Sequence, residues 1–91
     1  MSDADDQENG PDDSSPAAGL FFTAEMLSRS QVIARGKNIR KIDDLVARFG
    51  GTRKGWVKKK GQDAHGQEWH WYEHQGIGRV GVKRLGDADP F

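Results

Sequence analysis

A length of 91 residues limits this chain to one small domain, and the absence of cysteine removes both a disulfide framework and a thiolate zinc site as ways to staple it. The formal net charge is zero, yet positions 1–18 carry Asp3, Asp5, Asp6, Glu8, Asp12 and Asp13 without a base, whereas positions 29–84 hold all fourteen Lys and Arg against five acids, a surplus of +9. A basic body behind an acidic leader points to a polyanionic partner such as nucleic acid; no apolar run approaches the roughly 20 residues of a membrane span, so a cytoplasmic chain with no membrane partner is expected.

In chain order, positions 1–18 are acidic and small, with Pro, Gly and Ser and nothing to bury, and are expected to be disordered: a solvated leader or a decoy for the basic body. Positions 19–86 form the domain. After the apolar Gly19-Leu20-Phe21-Phe22, Thr23 caps a helix predicted to run through Met26, Leu27, Val32 and Ile33 to Arg35, where Gly36 stops it. Asn38 caps a second helix whose Ile39, Ile42, Leu45, Val46 and Phe49 recur at three- and four-residue steps until Gly50-Gly51, leaving Arg40, Lys41, Asp43, Asp44 and Arg48 in water.

The remaining elements alternate with period two. Trp56-Val57-Lys58-Lys59-Lys60 is closed by Gly61, Glu68 to His74 forms the central run, and Arg79 to Arg84 follows Gly76 and Gly78. Trp69 and Trp71 share one parity and, with Val80 and Val82, are expected to face the helices. The opposite face then collects His70, Tyr72, His74, Arg79 and Lys83, flanked by lysines of the first strand. The predicted class is α+β, with one or two N-terminal helices packed on one face of a small three-stranded antiparallel meander. Positions 87–91 read as a short tail.

Several motifs compete on this sheet. His70-Trp71-Tyr72-Glu73-His74 matches an H-x-x-E-H zinc string, but in a strand its histidines stand about 13 Å apart and cannot share one ion, so neither a metal nor another cofactor is expected. Trp71 is expected in the core, and Tyr72, of opposite parity, against a base or sugar. His65 falls in a hairpin loop, where a histidine is ordinarily just exposed. A winged helix-turn-helix is disfavoured because Asp43 and Asp44 would meet phosphates on the outer side of the second helix. The strongest constellation is His70 with Lys58, Lys60, Arg79 and Lys83: RNA cleavage needs a base, an acid and cations, and His, Lys, Arg and Tyr supply them without a metal, with His70, Tyr72, Arg79 and Lys83 as the candidate catalytic groups. Lys58, Lys59, Lys60, His74 and Arg84 are the accompanying nucleic-acid-binding candidates.

The blocks Phe49-Gly50-Gly51, Trp56-Val57-Lys58-Lys59, His70-Trp71-Tyr72-Glu73 and Gly76-Ile77-Gly78-Arg79 resemble the small C-terminal toxin domains of bacterial polymorphic toxin systems, over about positions 36–84. The resemblance implies a metal-independent RNase of the barnase, colicin and RelE type, with a helical start and an antiparallel sheet whose open face cuts RNA at His70, Tyr72, Arg79 and Lys83. It also implies a protein partner, an acidic immunity protein covering that face. The residues themselves leave two other readings open, a non-enzymatic nucleic-acid-binding module such as a phage or mobile-element regulator, and a protein–protein adaptor that pairs through its sheet edge.

Overall fold

The computed structural model describes residues 21–90, so the acidic leader lies outside the described residues. In order, the elements are α1 (Ala24–Arg29), β1 (Gln31–Arg35), a 3-10 turn (Gly36–Asn38), α2 (Ile42–Phe49), a second 3-10 turn (Arg53–Gly55), β2 (Trp56–Gln62), β3 (Glu68–His74) and β4 (Gly78–Arg84). The strands form one antiparallel sheet in the order β1-β2-β3-β4. The α+β class and the antiparallel meander are those the sequence predicts, with one strand more.

That extra strand comes from the segment expected to continue the first helix. Thr23 does cap α1, its Oγ accepting from the Met26 N–H at 3.1 Å. The helix nevertheless ends at Arg29, because Ser30 turns extended and sends both its hydroxyl and its N–H back to the Leu27 carbonyl. The β-branched Val32 and Ile33 that follow are poor helix formers and good strand formers, and Gln31–Arg35 pairs with β2, Val32 opposite Lys59 and Arg35 opposite Val57. The second helix also starts later than its apolar spacing suggests, at Ile42, since Gly36–Asn38 is taken up by the 3-10 turn.

A second departure governs the site: the two helices lie on opposite faces of the sheet. Residues 71 and 72 point to opposite sides of β3, and each is buried under a different cover. Trp71, fully buried, joins Phe22 and Met26, with Phe21, Leu27, Trp69 and Val82 around them. Tyr72 joins Ile39, Ile42, Leu45, Trp56 and Val80 beneath α2. The valines divide because β4 contains a bulge. His70 stands opposite Lys83 and Tyr72 opposite Val80, so two residues of β4, Gly81 and Val82, face the single Trp71. Gly81 has φ 66°, the left-handed conformation that a bulge of this type reserves for glycine. One extra residue reverses parity, which puts Val80 and Val82, and likewise Arg79 and Lys83, on opposite faces.

The hairpin joining β2 and β3 is pinned by Asp63. Its carboxylate accepts from the His65 and Gln67 N–H groups at 2.8 and 3.0 Å and from the Trp69 indole at 2.9 Å. At the other end, the Trp56 indole donates to the Gly50 carbonyl at 3.0 Å, fixing the turn after α2 onto the sheet.

Candidate nucleic-acid interface

Directly opposed residues of an antiparallel pair share a face, so register assigns each charged side chain. On the face that carries α2, Lys58 stands opposite Tyr72, Lys60 opposite His70 on one side, and Lys83 opposite His70 on the other. α2 covers only the end of this face near Trp56, Tyr72 and Val80. Beyond that cover lies a histidine flanked by lysines from both neighbouring strands, its side chain 15% exposed.

His70 is held in place. Two residues back on the same face, Glu68 brings its Oε2 to 2.8 Å from His70 Nε2. A carboxylate only accepts, so the ring proton sits on Nε2 and, in the neutral ring, Nδ1 keeps its lone pair. Lys58 Nζ lies 5.7 Å from the centre of the Tyr72 ring. Lys83 Nζ donates to the Asp87 carbonyl at 3.1 Å and to Asp89 Oδ1 at 2.8 Å, and Lys41 Nζ reaches Asp89 Oδ2 at 3.4 Å. The segment after β4 therefore folds back over this face. The hydrogen bond from Lys83 holds the Asp89 carboxyl below its usual range; burial opposes it, and the Lys83 charge with the hydrogen bond and charge of Lys41 adds to the lowering.

Two clefts open on this face, one of them lined by His70. A narrow one between Lys58, His70, Tyr72 and Lys83 of the sheet and Asp89 and Pro90 of the returning segment has room for about 10 Å³, on the order of one water. The other, about 260 Å³, opens at the far end between Arg29, Gln31, Lys60, Gln62 and Glu68.

The remaining sequence candidates are elsewhere. Tyr72, expected to be displayed, is 6% exposed in the α2 core. Burial, with the Asp89 charge, raises its phenol above the ordinary value, while Arg40 opposes. Its position follows from both faces being covered: with Trp71 serving one helix, its neighbour has to serve the other. His74 sits at the closed end of the face. Its ring leans on Trp56 at 5.2 Å between centroids, its Nδ1 accepts from the Gly76 N–H at 3.1 Å, and it lies so close to Gly55 that no Cβ fits there.

Arg79 and Lys59 are on the α1 face because of the bulge and the register. Arg79 Nε donates to Glu73 Oε1 at 3.2 Å and its guanidinium lies over the Phe22 ring, while Lys59 Nζ comes to 4.0 Å from the same oxygen. The Trp71 indole also donates to Glu73 Oε1, at 3.2 Å. Arg84, opposite Trp69 on that face, is exposed and turns to Asp87 at 3.6 Å. The structure thus gathers His70, Lys83, Lys58 and Lys60, keeps Tyr72 beside them but buried in the core, and places His74, Arg79, Lys59 and Arg84 elsewhere. It adds Glu68, Lys41 and Asp89. Glu68 was legible as a same-parity neighbour of His70; Lys41 and Asp89 reach the site through loop packing, for which the sequence holds no signal.

Among the described residues, no three His, Asp or Glu side chains converge as a metal site, and no helix is long and apolar enough to cross a membrane. Comparison with protein-family models, with curated proteins and with solved structures finds no match to this chain.

Proposed function

We propose that the chain is a ribonuclease-like toxin domain that binds RNA on the open half of the α2 face and cleaves it at His70 without a metal. The observation that carries this reading is the 2.8 Å contact between His70 Nε2 and Glu68, with Lys60 and Lys83 on either side of the ring. Glu68 orients the imidazole so that Nδ1 takes the proton of a ribose 2′-hydroxyl. The 2′-oxygen bonds to phosphorus, the bond to the 5′-oxygen breaks, and the ammonium of Lys60 returns a proton to the departing oxygen. The products are a 2′,3′-cyclic phosphate and a 5′-hydroxyl. Lys58 and Lys83 offset charge on the phosphorane, as preorganised cations do wherever charge develops. An acidic immunity protein is the partner that complements this face.

Incubation with RNA is expected to yield cyclic-phosphate ends, and His70→Ala to lower the rate roughly 10²-fold or more while leaving the melting curve in place. Expression of the unsubstituted chain is expected to arrest growth and the variant to relieve it. Cleavage by His70→Ala at the original rate would remove the catalytic assignment.

A second reading, a nucleic-acid-binding module without cleavage, draws on the burial of Tyr72 in the core and the placement of Arg79 on the opposite face. It predicts binding that weakens steeply with salt and no RNA product.

A further inference from the structure

The segment after β4 is the only part of the described chain that brings acidic side chains onto the lysines of the proposed RNA face, apart from Glu68. It is turned there by its own backbone. The Leu85 N–H donates to the Glu68 carbonyl at 2.9 Å, extending the β3–β4 pairing, and the Asp87 N–H then donates to the Arg84 carbonyl at 3.0 Å, closing a turn. The chain returns across β4, and Lys83 grips it twice, through the Asp87 carbonyl and the Asp89 carboxylate. Lys41 takes the second oxygen of that carboxylate from the opposite side, just ahead of α2. Two ammonium groups on one carboxylate, its two oxygens engaged separately, is also how a pair of lysines holds two oxygens of a phosphodiester. Pro90 follows at once and closes the narrow cleft over Lys58 and His70.

We infer that Lys41 and Lys83 form a phosphate subsite of the RNA face, which Asp89 occupies in the free protein, so that RNA must displace the 87–90 segment to engage His70. This rests on the reading of that face as the RNA-binding one. Lys41 thereby becomes a binding residue contributed from outside the sheet, and the tail an internal competitor. The grip is weak enough to yield. The Lys83, Lys41 and Asp89 side chains are 22%, 27% and 47% exposed, and ion pairs this open to water exchange readily for a polyanion that engages several lysines at once.

The test uses the full chain and a fluorescent, single-stranded 2′-O-methyl RNA, which binds but cannot be cleaved at a 2′-hydroxyl. Binding is measured by anisotropy over a salt series, with thermal melts confirming that each variant is folded. Asp89→Ala is expected to bind roughly three- to tenfold more tightly than the unsubstituted chain, because the fraction of molecules with an open subsite rises. Adding Lys41→Gln to Asp89→Ala, which keeps most of the lysine stem, is expected to undo that gain and to reduce the salt slope by about 0.7, one single-strand phosphate contact. If Asp89→Ala binds no better than the unsubstituted chain, the competitor is overturned while the RNA face stands. If the double variant matches Asp89→Ala in affinity and slope, the Lys41 subsite is overturned. If no variant binds the RNA, the inference and the reading beneath it both fall.

Discussion

Glu68 and Glu73 lie on the same strand, five residues apart, with side chains 30% and 26% exposed, and yet they belong to different kinds of surface. Glu73 points to the α1 face, where one of its oxygens is shared by the Trp71 indole, Arg79 and Lys59. Every one of those partners is anchored in the sheet, so the charges there form a closed unit that holds packing together. Glu68 points to the α2 face, beyond the helix, and among the described residues its carboxylate holds His70, while the lysine on one side of that ring is held by a tail. Exposure does not distinguish the two carboxylates. What distinguishes them is whether their neighbours can be replaced by a ligand without dismantling the core.

The sharpest way to break this division is at Tyr72, which faces the same side as His70 but belongs to the core. Tyr72→Ala removes a ring buried with Ile39, Ile42, Leu45, Trp56 and Val80, and is expected to cost about 3–5 kcal/mol. Against a total stability of about 5–15 kcal/mol for a small domain, that leaves much of the chain unfolded in a urea titration. Tyr72→Phe keeps the ring and is expected to cleave RNA at the original rate. A large loss of cleavage in a folded Tyr72→Phe protein would instead place the phenol in the chemistry.

The two glutamates supply the next comparison. Glu73→Ala strips the Trp71 indole and Arg79 of their acceptor and Lys59 of its counter-charge, and is expected to cost about 1–2 kcal/mol, toward the low end for charged hydrogen bonds because the group is partly solvated, with RNA affinity unchanged. Glu68→Gln is expected to do the reverse, moving stability by less than about 0.5 kcal/mol while slowing cleavage about tenfold and altering its pH profile, since the imidazole loses the anion that orients it. Paired melts and rate profiles decide the matter; matched effects from both substitutions would erase the distinction between the faces.

How far the sequence reveals this arrangement depends on the range of the interaction. The strand alternation of Glu68–His74, the cap at Thr23 and the stop at Gly50 are local, and each is where the sequence puts it. The burial of Trp71 follows from parity and size. The location of Arg79 does not, because it turns on a bulge at Gly81: a glycine between Val80 and Val82 looks the same in a regular strand, and only pairing with β3 shows that two residues share one partner. Ile33 and Val32 carry both helical and strand potential, resolved by the availability of β2's edge. The acidic leader, read from sequence as a solvated segment or a decoy for the basic body, lies outside the described residues. The described chain supplies an acidic counterweight to the basic face from its other end, through a turn whose destination no local pattern encodes.

The smallest expected effect tests the α1 side alone. The Asp63 carboxyl lies below its ordinary value chiefly because the Trp69 indole donates to it; desolvation opposes this, and the Gln67 and His65 N–H groups add to the lowering. An acid whose pKa falls on folding stabilises the native state above its unfolded value, near 3.9, and loses that contribution as pH drops through the lower folded value. The three bonds are open to water, so Asp63→Asn is expected to cost only about 1 kcal/mol at pH 7. The gap between the two proteins in urea should begin to narrow as pH falls below about 4, where the unfolded carboxylate takes up its proton, and close below the lower native value. A gap that persists undiminished at low pH would mean that loop geometry, and not the carboxylate charge, holds the Trp69 indole. Because Trp69 packs on Phe21 at 4.7 Å, on the α1 face, neither the substitution nor its pH dependence should change RNA binding at His70.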